Sequence, residues 1–184
     1  MGRPRPEGTD LGLSAGERAS LSAGIFTNNI RVTFLSFAGG VPVGLGTGFV
    51  DVYNGITIGA IGGLAAEGGA AERFVVLVAP HGVLELSCIV VASAAGLRMG
   101  WALVEPGVHR RGEALTRAAR EGAEIVLGTM PWLVLAGLVE GFVTPKYIGL
   151  GPALVVGFAL GAVYWAFVVM LGVRPLRAAR AASP

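Results

Sequence analysis

The chain contains a single cysteine, Cys88, and only two histidines, His81 and His109. One cysteine excludes a disulfide framework and a cysteine-based zinc site within the chain. Set in an apolar run, Cys88 reads as a small buried hydrophobe. Charge is equally scarce. Asp, Glu, Lys and Arg together make up 14% of the residues, and the net charge is only +2, against about 25% charged in a typical soluble domain. So weak a positive balance gives no reason to expect nucleic acid as a partner. Strict apolar–polar alternation is missing, which argues against a transmembrane β-barrel. No stretch near the N-terminus has the apolar centre of a secretory signal. There is no Gly-rich phosphate loop ending in Lys-Ser/Thr and no Gly-x-Ser-x-Gly elbow. GLGTG (44–48) lies inside an apolar run and does not make a nucleotide site.

What is abundant is apolar and small. Hydrophobic residues account for 53% of the chain, 30 residues are glycine, and the mean hydropathy is +0.69. This is the composition of an all-α, polytopic membrane protein, in which small residues let helix backbones approach closely. Five hydrophobic segments stand out, at 30–50, 52–66, about 74–104, 125–143 and 150–172. The first is long enough to cross a hydrocarbon core of about 30 Å. The second is short, and either crosses with help from its flanks or re-enters. The third is too long for one simple span, so a broken helix or re-entrant piece is expected at Pro80-His81-Gly82. The domain organisation follows: a flexible polar tail over 1–24, one helical transmembrane domain over 25–172, and a basic tail over 173–184.

Arginine placement sets the orientation. Four arginines lie in 109–124, and Arg174, Arg177 and Arg180 follow the last segment, whereas the connection between the fourth and fifth holds only Lys146. The 105–124 connection and the C-terminus are therefore expected on the cytoplasmic side. Single crossings then place the N-terminal tail outside, although it carries Arg3, Arg5 and Arg18. Residues 108–124 also read as an amphipathic cytoplasmic helix, lying on the headgroups or serving as a solvated linker. Glycines recur at four-residue spacing: Gly55, Gly59 and Gly63; Ala92, Gly96 and Gly100; Gly157 and Gly161. Such faces are expected to pack helix on helix, within the chain, between copies in a homo-oligomer, or both.

The residues most out of place are ionisable. His81 and Glu85 are four apart and share a helix face; Glu140 closes the fourth segment, with Asn54 early in the second and Arg98 late in the third. A charge at bilayer depth costs at least about 2.5–3.5 kcal/mol unless it is paired or neutral. Three readings follow. His81, Glu85 and Glu140 join a buried network that fixes helix register, with Pro80 freeing backbone carbonyls that need donors. Alternatively they line a proton or solute path. The third is a metal or hydrolytic centre, for which a helix would normally supply two histidines at i, i+4. This chain has no such pair, and no metal or other cofactor is expected.

Read together, NNIRVTFLSFAGGVPVGLGTGFVDVYNGITIGA (28–60), APHGVLELSCIVVASAAGLRMGWALVEPG (79–107) and AGLVEGFVTP (136–145) resemble the stage II sporulation protein M family of integral membrane proteins. The matching positions are Asn28, Asn29, Arg31, Asn54, Gly55, Pro80, His81, Gly82, Glu85, Glu140 and Pro145. The resemblance implies a non-catalytic membrane scaffold whose partners, in spore formers, degrade peptidoglycan. Family members usually begin with a cytoplasmic charged region and one more transmembrane helix. Here Asn28 follows only a short polar tail. Besides the lipid bilayer, the expected partners are copies of the chain and other membrane or cell-wall proteins. The alternative from the residues themselves is a small transporter or proton-coupled channel using His81, Glu85 and Glu140.

Overall fold

The computed structural model describes residues 14–146 and 148–181. Five long helices account for nearly all of them: α1 (Ala15–Ala38), α2 (Leu45–Glu67), α3 (Ala71–Val104), α4 (Arg111–Phe142) and α5 (Leu150–Ala181). A short 3-10 turn, Thr144–Lys146, sits between the last two. No strand occurs among the described residues. α2, α3, α4 and residues 150–172 of α5 are each long and apolar enough to cross a membrane.

Helix boundaries follow local chemistry. Ser14 and Glu17 form a capping box at the start of α1, with Ser14 Oγ accepting from the Glu17 amide and the Glu17 carboxylate accepting from the Ser14 amide. Residues 15–24, expected as part of a flexible tail, are therefore the first turns of a helix; residues 1–13 lie outside the described residues. The apolar run 30–50 is not one span. Gly39-Gly40 end α1, Pro42 follows, and Val43 and Gly44 take positive φ of 57° and 81°, which turns the chain back into α2. The residues 45–50 released by that turn complete α2 as a helix of 23 residues. The short second segment thereby gains the length to span.

Pro80 does not interrupt α3, which is continuous over 34 residues. The expected break or re-entrant piece is absent. A proline removes one N–H from the ladder, and within a packed bundle the neighbouring turns hold the helix through that loss. Pro80 is itself buried, and Gly157 of α5 lies so close to Ala79 that its Cβ would run into the Ala79 carbonyl. The 108–124 stretch is likewise not a separate helix. From Arg111 it forms the first turns of α4 and runs straight into the apolar part.

Contact registers give the topology. α3 and α5 run parallel, since Gly157 meets Ala79 and Gly161 meets Val83. α4 runs against α3, pairing Arg98 with Glu121 and His81 with Glu140. α2 runs against both α1 and α3, with Gly46 on Gly39 and Gly62 on Phe74. Helices thus alternate in direction. The 109–124 arginines and the C-terminal end of α5 fall at one end of the bundle, and Ser14 falls at the other.

The core lies between α3, α4 and α5. Leu84, Cys88, Leu133, Ala136 and Tyr164 form its centre, flanked by Phe26 and Ile30 of α1 and by Trp132. Trp132 meets the Tyr164 ring edge-on, with centroids 5.3 Å apart. The 39–44 turn nests on the small-residue face of α3. A Cβ on Gly96 would lie 2.7 Å from the Ser36 carbonyl oxygen, and one on Gly100 would lie 2.5 Å from the Gly44 nitrogen. Gly55, Gly59 and Gly63 behave differently: nothing lies within 4 Å of a Cβ placed on any of them. Their face of α2 meets no other described part of the chain. Gly100→Ala should therefore lower the thermal midpoint in detergent by several degrees, whereas Gly59→Ala should leave it unchanged. Differential scanning fluorimetry of the two purified variants checks the contrast.

Candidate functional site

The depth of the polar residues follows from α3. Between Arg73 and Arg98 the helix carries residues 74–97, 24 positions rising about 1.5 Å each. The resulting length, about 36 Å, slightly exceeds a hydrocarbon core of about 30 Å. Glu85 sits at its middle and His81 one turn away.

Around them the bundle closes. His81 and Glu85 are each only 6% exposed, as is Glu140. His81 Nδ1 lies 2.5 Å from Glu140 Oε2, and His81 Nε2 lies 3.9 Å from Glu85 Oε2. The imidazole thus stands between two carboxylates, one on its own helix and one on α4. Thr144 Oγ1 lies 3.4 Å from the same Nδ1, and the Asn29 side chain of α1 reaches the Glu85 carboxyl. Three helices and the 3-10 turn meet at this point. Close as the charges are, Glu85 Oε1 and Glu140 Oε2 have no well-directed hydrogen bond among the described residues.

α4 ends here for a local reason. Phe142 is its last residue, and the chain leaves as a 3-10 turn while α3 still has apolar residues to run. Irregular backbone at this depth is tolerated only when enclosed by protein. Thr144 is 4% exposed, and its hydroxyl caps the helix end by donating to the Val139 carbonyl at 3.4 Å. The His81 ring lies beside this helix end, 3.4 Å from the Thr144 hydroxyl.

A second polar junction was not singled out from the sequence. Asp51 of α2 accepts hydrogen bonds from Ser36 of α1 at 3.0 Å and Ser93 of α3 at 2.9 Å, both on Oδ1. Next to it the Thr47 hydroxyl, fully buried, donates to the Ser36 carbonyl at 2.6 Å. Asp51 falls between the apolar runs 30–50 and 52–66, where it reads as a boundary. The signal available was its spacing: Thr47, Asp51 and Asn54 share one helix face.

The remaining sequence-selected residues divide. Asn29 joins the His81 cluster, whereas Asn28 and Arg31 point out of the bundle and Asn54 is half-buried on α2. Arg98 pairs with Glu121 at 2.7 Å near the bundle's end, where exposure leaves the pair little energetic weight. Gly82 is buried, and its Cβ would meet Val78. Cys88 is buried in the core beside Tyr164. Among the described residues no group of three His, Cys, Asp or Glu side chains has an arrangement that holds a metal ion.

The model of the family described as stage II sporulation protein M matches residues 7–145. That is most of the chain, and the chain belongs to this family. It is 27% identical over 124 residues to an uncharacterized protein of Methanocaldococcus jannaschii, covering 66% of this chain and 70% of that one. No solved structure matches.

The two junctions make separate predictions. If His81 and Glu140 act as a unit, the stability losses of His81→Asn and Glu140→Gln should fall short of additivity by about 1–2 kcal/mol; chemical unfolding of the two single variants and the double variant in micelles measures this. Asp51→Ala strands the Ser36 hydroxyl and leaves that of Ser93 only the Ile89 carbonyl, and should destabilise more than Ser36→Ala or Ser93→Ala, each of which leaves Asp51 one partner. Thermal midpoints of the three variants rank them.

Proposed function

We propose that this membrane protein is a multi-pass scaffold without catalysis of its own, which organises partners that remodel the cell envelope and its peptidoglycan. The observation that carries this reading is how the polar residues are disposed. His81, Glu85 and Glu140 are turned on one another inside the bundle. The surface left toward the bilayer is helix face, and none of the apolar window of α2 is buried. Family membership supports the same reading. In it, the arginines of 109–124 and the C-terminal end of α5 face the cytoplasm, and copies of the chain associate laterally. A photo-crosslinking side chain in place of Ile56, on the outer face of α2, tests it in native membranes. Capture of envelope-remodelling proteins or of a second copy is expected. Recovery of uncrosslinked protein alone contradicts it.

A second reading, a small transporter or proton-coupled channel, is favoured by one observation: Glu85 Oε1 and Glu140 Oε2 are buried acceptors without directed donors. Such groups at mid-depth are where a moving proton or cation would pause. Purified protein in liposomes should then carry a proton or solute flux that Glu85→Gln abolishes. The scaffold reading expects no flux from either protein.

A further inference from the structure

Among the described residues, Arg31 is the one cation near the mid-depth level of the bundle that has no partner. It lies two residues beyond Asn29, which reaches the mid-depth Glu85. Nine residues, about 13 Å of helix, separate it from Gly40, which packs on Gly96 close to the level of Arg98. Arg98 has Glu121. Arg31 is exposed on α1 and makes no ion pair or hydrogen bond among the described residues. α1 falls short of the apolar length that marks the four spanning helices, yet it lies along α3 at mid-depth, where an unpaired guanidinium facing hydrocarbon is costly.

We infer that the outer face of α1, bearing Gly24, Asn28, Arg31 and Leu35, docks a transmembrane helix of a different protein that brings an Asp or Glu carboxylate to Arg31. These four positions are spaced i, i+4, i+7 and i+11 and lie on one side of the helix. All four are exposed. A carboxylate opposite Arg31 can receive both prongs of the guanidinium, with the Asn28 amide one turn away as a further donor. Gly24 has open space where a Cβ would be, so a second helix can approach closely at that level. Leu35 supplies the apolar flank.

The acid is assigned to another protein because the described residues offer none at that depth. Glu85 and Glu140 are enclosed with His81. Asp51 is held by Ser36 and Ser93. Of the other described carboxylates, Glu17, Glu67, Glu72, Glu105 and Glu113 lie in loops or end turns of helices, Glu121 is held by Arg98 and Arg117, and Glu124 is three residues from Glu121, near the level of Arg98. The described residues of a second copy would therefore present no free carboxylate to Arg31. The proposal rests on the scaffold reading and names the chemistry of one partner.

The test uses the intact protein in phosphatidylcholine nanodiscs with a synthetic leucine–alanine transmembrane helix carrying one central Glu. The same helix with Gln is the control, and energy transfer between dyes on helix and protein is the readout. The Glu helix should bind the wild type roughly tenfold more tightly than the Gln helix does, the size expected of one charge-assisted hydrogen bond. Arg31→Leu should erase that difference, and Arg31→Lys should restore part of it. Equal binding of the Glu and Gln helices to the wild type overturns the proposal and needs no variant to fold. So does a result in which Arg31→Leu loses co-purifying anionic lipid but keeps the Glu helix, since a lipid phosphate would then be the arginine's partner. Undiminished capture of envelope partners through Ile56 in the Arg31→Leu background would remove this site while leaving the scaffold reading intact.

Discussion

Hydrocarbon offers no hydrogen bonds, so every polar group that a membrane helix carries to mid-depth must find its partner in protein. The rest of this structure depends on that constraint. Glu85 sits at the centre of the longest helix, and three other elements are arranged to meet it or its neighbour. α1 brings Asn29, α4 brings Glu140, and the 3-10 turn brings Thr144. His81 is the hub, standing between the two carboxylates on one side of the core. The end of α4 is part of the same arrangement, because a helix that stops inside the bilayer needs something to occupy its C-terminus. Thr144 does so, with its hydroxyl lying against the His81 ring.

The Asp51 junction repeats the logic nearer the other end, with neutral partners. One carboxylate oxygen collects hydroxyls from two neighbouring helices and so ties α2 to α1 and α3. Backbone approach reinforces it there: Gly39 on Gly46, and the 39–44 turn on Gly96 and Gly100. Small residues therefore do two different jobs in this protein. In α3 and α5 they bring backbones together within the chain. In α2 the stripe of Gly55, Gly59 and Gly63 is left facing outward, and the same chemistry becomes available to another molecule. α1 likewise keeps Asn29 for the interior and turns Asn28 and Arg31 out.

Much of this was legible from the residues. Composition pointed to a helical membrane protein, and the His81, Glu85 and Glu140 set could be picked out because each is an ionisable residue in an apolar run. Their joining with Asn29 was less accessible, since helical periodicity relates residues on one helix and says nothing of which helices meet. Three features were obscured by competing signals. The 39–44 turn is built from glycine, valine and proline, so it merges with the apolar run around it. Asp51 looks like a boundary because it stands between two runs, although it lies one turn and a half inside α2. Pro80 carries the local signature of a break, yet the packing of α4 and α5 around α3 outweighs one missing hydrogen bond. The amphipathic pattern of 108–124 is real, but it belongs to the first turns of a longer helix.

The account stands on His81 being closed off between α3 and α4. With only two histidines in the chain, His81 and His109, nitrogen-15 labelling of histidine alone gives a spectrum simple enough to decide the point. In lipid nanodiscs the exposed His109 ring should exchange magnetisation with water. The His81 ring should show no water contact, and its signals should shift when Glu140 is replaced by Gln. A His81 ring that exchanges with water as freely as His109 would contradict a dry cluster and leave the bundle's central contact without support.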